Sequence, residues 1–98
     1  MKINVSSLNK LFENRVRLVI MSVLSVNDSF DFNNLKETLD VTDGNLASHL
    51  KVLEENDIIK VNKQFIGRKP NTTYSLTETG IKLFRDHLKA LEEIIRLQ

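Results

Sequence analysis

The stretch from Thr42 to Leu76 restricts the fold of this chain more than any other feature. Thr42 is a residue type that caps helices, and Asp43 follows it, where a carboxylate complements the helix dipole. If Leu46 points inward, Leu50 and Leu53 fall within about 40° of it at the helical period. Three leucines on one face predict a helix anchored to a core, and Asn56-Asp57 ends it. Ile58 to Phe65 then reads as a strand, and Gly67 to Asn71 as a turn, because it holds a glycine, the only proline and an asparagine. Thr72 to Leu76 is β-branched and aromatic, and reads as the returning strand. A helix followed at once by a hairpin is the frame into which the flanks must fit.

Upstream, a first helix is expected from about residue 7 to Val26, capped by Ser6 or Ser7. Its apolar residues spread around most of the circumference. Such a helix must be covered on more than one side; the domain's own core can cover one, and a second subunit could cover the other. Asn27-Asp28-Ser29 is a turn signal, and Phe30 to Phe32 suits a very short strand. Asn33 or Asn34 then caps a short helix, Leu35 to Leu39, which Asp40-Val41 breaks. Downstream, Thr77 caps a last helix running from 78 to about 97. Its Ile81, Phe84, Leu88, Leu91 and Ile95 form a heptad seam, suited to a partner helix or to the domain's own core. The chain of 98 residues is one domain, 1–98. The fold class is mainly α with a small β-hairpin (α+β): two helices joined by a tight turn and followed by a hairpin are a winged helix-turn-helix.

The polar face of the Thr42–Asn56 helix carries the chemistry. Gly44, Asn45, Ser48 and Lys51 lie away from the leucines. A helix entering a DNA major groove needs small residues near its N-terminus and side chains that hydrogen-bond base edges. The competing reading is a solvated surface. Thr42 is a cap that can also reach a phosphate. His49 lies on the flank, either packed at the core edge or contacting DNA.

The hairpin has no acid between Ile58 and Thr77, while Lys60, Lys63, Arg68 and Lys69 fall within it. The acids lie elsewhere, so the net charge of +1 conceals a basic hairpin. Arg68 suits a narrow minor groove, and Lys63 and Lys69 suit phosphates. Thr72 closes the segment 63–72 expected on the DNA backbone or in the minor groove.

Other classes fare worse. There is no cysteine, so thiolate metal sites and disulfides are excluded. The two histidines sit in separate helices, and no nucleophile–base set or phosphate-binding glycine loop occurs, so no enzyme, cofactor or metal site is expected. No signal peptide or bilayer-length apolar run occurs, so the expected location is the cytoplasm, with no membrane contact. A winged helix serving as a protein-interaction module stays open as the alternative.

Residues Asp43 to Asn56, with the wing Phe65 to Thr77 and its step into Glu78-Thr79-Gly80, resemble the small stand-alone winged-helix regulators of bacteria and archaea related to the MarR and ArsR groups. The resemblance spans about Val16 to Leu88 and implies a transcriptional regulator. It would bind a pseudo-palindromic double-stranded DNA operator as a homodimer through its first and last helices. The cysteine- and histidine-rich metal sites of ArsR-like sensors do not carry over, and no effector pocket can be picked out.

Overall fold

A computed structural model describes all residues, Met1–Gln98. Two 3₁₀ turns, Val5–Ser7 and Lys10–Phe12, lead into α1 (Arg15–Ser25). There follow β1 (Phe30–Asp31), α2 (Phe32–Leu39), α3 (Asp43–Glu55), β2 (Ile59–Ile66), β3 (Lys69–Leu76) and α4 (Glu78–Arg96). The strands form one antiparallel sheet in the order β1-β3-β2. This is the winged helix-turn-helix expected from the element order.

The continuous first helix expected from residue 7 is corrected: α1 begins only at Arg15. The cause is three asparagines spaced five residues apart. The Asn4 side chain accepts from the Ser6 N–H, Asn9 from the Leu11 N–H, and Asn14 from the N–H groups of Val16 and Arg17. Each restarts the chain, because an asparagine carboxamide offers the backbone a local partner that competes with the helical ladder. Asn14, not Ser6 or Ser7, is the cap of α1. Likewise α2 starts at Phe32, because the Asp31 carboxylate takes the Asn34 N–H at 2.7 Å and leaves no capping role for Asn33 or Asn34.

The core joins Phe12, Ile20, Met21 and Leu24 to Leu35, to Leu46, Leu50 and Leu53, and to Ile58, Ile59, Tyr74 and Phe84. α1 runs through the middle, against α2, α3 and β3. Most of its apolar circumference is therefore met within the chain, and Val19 is the large apolar side chain of α1 that stays exposed, at 43%.

Both ends of α3 are set by local chemistry. Asp40 adopts a left-handed conformation, with φ 53°, and its N–H donates to the Lys36 carbonyl, which ends α2. Two residues on, Thr42 caps α3 by accepting the Asn45 N–H at 3.1 Å. At the far end Asp57 has φ 58°, Asp57 N–H donates to Glu54 O, and Ile58 N–H donates to Leu53 O. These are the paired bonds of a Schellman motif. The buried Leu53 and Ile58 supply its apolar contact, and the chain turns directly into β2.

The hairpin is longer and tighter than the sequence suggests. Only Gly67 and Arg68 lie between the strands, and Ile66 pairs with Lys69. φ is +64° at Gly67 and not positive at Arg68, the pattern of a type II′ turn that suits the strand twist. Pro70 belongs to β3, not to the turn. It lies beyond the reach of β1, which pairs only with Tyr74 and Thr73, so β3 has one neighbour there and tolerates a missing N–H.

Thr77 caps α4 by accepting the Gly80 N–H at 2.9 Å. Gly80, Phe84, His87 and Ala90 turn toward the domain. The N-terminal turns dock here: His87 Nδ1 accepts the Asn9 N–H at 3.0 Å, and Phe12 packs edge-on against Phe84. The heptad seam behaves differently. Of its five residues only Phe84 is buried, while Ile81, Leu88, Leu91 and Ile95 are 44%, 47%, 43% and 63% exposed. No helix is long and apolar enough to cross a membrane.

Candidate nucleic-acid interface

Leu46, Leu50 and Leu53 are buried in the core, so α3 is held along its inner face. Gly44, Asn45, Ser48 and Lys51 are exposed on the other. Asp43 lies in the first turn and pairs with Lys36 at 2.8 Å, joining α2 to α3. Both partners are exposed, so the pair adds little stability. Lys51 reaches Glu55 at 3.8 Å, a loose surface contact.

Nothing in the fold asks for glycine at position 44. Its φ is not positive, and a Cβ there would meet no atom within 4 Å. Glycine inside a helix costs roughly 0.5–1 kcal/mol against alanine. Gly44→Ala is therefore expected to stabilise the domain by about that amount in denaturant unfolding. A destabilised variant would mean that the site has a packing demand not visible in its surroundings.

His49 lies at the edge of the core, half-buried. Its Nδ1 is 3.1 Å from Nη1 of Arg17, whose Nε donates to the Leu11 carbonyl at 2.7 Å. A guanidinium has donors only, so Nδ1 accepts and the ring proton resides on Nε2. Burial first, and the Arg17 charge second, hold the His49 pKa below the ordinary histidine value. His49 is thus a neutral strut between α3 and α1.

The wing flanks α3 on one side. Lys63 and Thr72 are cross-strand partners. Alternation puts them on the hairpin face that carries Ile59 and Tyr74 into the core. Lys63, Lys51, Ala47, Glu54, Val61 and Tyr74 line one groove of about 530 Å³ between the helix and the wing. Glu54 is the acid within it. Burial, and then the Glu54 charge, push the Tyr74 hydroxyl pKa up. Arg68 stands in the turn itself and Lys69 beside it, both exposed and neither in an ion pair.

The structure adds residues that local spacing did not reveal. Arg15 shares a groove with Thr42 and Asn45 on the other side of α3, and Arg17 holds His49. Both come from α1, far from α3 in sequence, so no periodicity connects them. No group of three or more His, Cys, Asp or Glu residues is placed to hold a metal ion.

A buried leucine face, an exposed small and polar face and an adjoining basic hairpin define the winged helix-turn-helix class. Residues 16–95 match the family of winged helix DNA-binding domains, and the chain belongs to that family. An uncharacterised protein of Methanocaldococcus jannaschii is 37% identical over 79 residues, covering 81% of this chain and 86% of that protein. The structure of a transcriptional regulator homologue from Pyrococcus horikoshii superposes with a TM-score of 0.81 at 35% identity, covering 88% of this chain and 85% of the other. The transcriptional regulator YodB of Bacillus subtilis, in its reduced form, superposes with a TM-score of 0.66 at 26% identity, covering 89% and 79%.

Proposed function

We propose that this chain is a homodimeric transcriptional regulator that reads a pseudo-palindromic operator in double-stranded DNA. α3 enters the major groove, where Gly44 lets the backbone approach and Asn45, Ser48 and Lys51 meet base edges or phosphates. Thr42 and His49 stand at its border. Lys63, Arg68, Lys69 and Thr72 bring the wing to the backbone and minor groove. The observation that carries this reading is the outer face of α3, which is exposed, small and polar while its inner face is fixed in the core.

Dimerisation through the first and last helical segments is supported by the exposed seam on α4. Beside it lies a groove of about 580 Å³ with Leu24, Leu76, Ile81, Phe84 and Leu88 among its lining residues. An apolar strip of this kind on a soluble domain marks an interaction surface. The N-terminal turns lie on the same helix, through Asn9 and His87. A protein-interaction module is the rival reading. The two differ in salt dependence, since counterion release is a property of DNA binding.

The test separates positioning from reading. Arg68→Ala should weaken binding to all DNA sequences and lower the salt slope by about 1. Asn45→Ala should change which base is preferred at one position per half-site, worth about 1–3 kcal/mol. An operator bound unchanged by both variants would refute this contact map.

A further inference from the structure

The tip of the wing carries apolar side chains that the fold does not use. Phe65 is 73% exposed and Ile66 is 63% exposed. Both lie in β2, immediately before the Gly67-Arg68 turn. Phe65 faces Pro70 across the hairpin, and Ile66 faces Lys69. Neither Phe65 nor Ile66 is among the side chains packed in or against the core. A polar residue at position 65 would cost the fold little, and it would remove an exposed ring from an edge strand.

The side on which Phe65 projects is informative. Strand alternation puts Phe65 and Pro70 on the same hairpin face as Lys63 and Thr72, and as the buried Ile59 and Tyr74. That face borders α3 through the groove shared by Lys51 and Lys63. The apolar pair therefore continues the candidate interface outward, and Arg68 forms its end.

We infer that Phe65, backed by Pro70, is a nonpolar minor-groove contact. When Arg68 enters the groove, the Phe65 ring packs against deoxyribose and the edge of a base step. The inference rests on the DNA-binding reading above. Charge argues for this occupant: the hairpin has no acid, Lys63 shares the face of the ring, and Arg68 stands in the turn beyond it. A second copy of the chain meeting it tip to tip would set these cations against each other. Apolar side chains of this type at a minor groove favour base steps that unstack easily. Phe65 would thus add preference for flexible pyrimidine–purine steps at the outer edge of each half-site.

Affinity and salt slope, measured together on a selected operator, test the assignment. Phe65→Ser should lower affinity by about ten-fold or more at every salt concentration, because burial of a phenyl ring is lost. The salt slope should stay as in the wild type, since no phosphate contact is removed. Phe65→Leu should keep most of the affinity. The melting temperature of both variants should stay within about 4 °C of the wild type, since the ring is mostly exposed in the free protein. A Phe65→Ser protein that binds the operator as the wild type does overturns the inference. So does one that keeps its DNA affinity but loses binding to anionic phospholipid vesicles, which would assign the ring to a lipid surface. Failure of the wild type itself to bind any DNA would instead remove the reading on which the inference stands.

Discussion

Replacing Gly80 with alanine is expected to destabilise this domain by about 3 kcal/mol, although alanine is the better helix former. Gly80 lies in the first turn of α4, where that helix crosses the start of β2. A Cβ at position 80 would stand 2.1 Å from the Ile58 carbonyl oxygen and 2.9 Å from its carbon. These are backbone atoms, so no side chain can rotate away. The same oxygen accepts the Thr77 N–H at 3.0 Å, and the Thr77 hydroxyl donates to the neighbouring Asp57 carbonyl at 2.6 Å. Room for a methyl group can be made only by pulling α4 off this junction and loosening its own cap. In a domain of this size a loss of about 3 kcal/mol lowers the melting temperature by roughly 12–24 °C. Thermal unfolding of Gly80→Ala beside Gly44→Ala makes the contrast direct: one glycine is required by backbone contact, and the other has open space around it. Equal melting temperatures for Gly80→Ala and the wild type would show that the junction is looser than its geometry implies.

The second large effect concerns assembly. Leu88→Glu with Leu91→Glu should give a folded monomer that has lost its operator. Both leucines are half-exposed on α4, outside the core cluster, so the fold should survive. A partner helix seated on the seam would have to bury four carboxylates across a two-fold axis, at a cost in desolvation and mutual repulsion. With the halves separated, the avidity of two linked recognition helices is lost, worth about 10²–10⁴-fold in affinity. Light scattering, circular dichroism and operator binding on one sample check the three parts. A double variant that remains dimeric would move the interface away from the α4 seam.

How much of this was legible in the sequence depended on whether the deciding interaction was local. α3 could be read with its ends, because Leu46, Leu50 and Leu53 share a face and Thr42 and Asn56-Asp57 stand at the boundaries. α4 could be read for the same reason, through Thr77 and the seam. The N-terminal segment could not. Leu8, Leu11 and Phe12 fit a helix, but Asn4, Asn9 and Asn14 each divert the backbone, and which of them prevails depends on docking against His87 and Phe84. Pro70 suggested a turn because proline is rare inside sheets, and only the short reach of β1 makes it acceptable in β3.

The candidate interface follows the same division. The outward face of α3 and the acid-free wing were visible from spacing and charge. The grooves that bring Lys51 beside Lys63, and Arg15 beside Thr42 and Asn45, depend on packing between distant segments. The Arg17 partner of His49 Nδ1 comes from α1, and no periodicity within α3 points to it.

The central claim is that α3 and the wing read DNA in two symmetric copies. Selection of bound duplexes from a random pool, repeated at two salt concentrations, tests it most directly. A pseudo-palindrome with half-site centres about 34 Å apart, bound with an affinity that falls steeply with salt, is the predicted result. A pool from which no sequence is enriched, and duplex affinity that is the same at both salt concentrations, would contradict it.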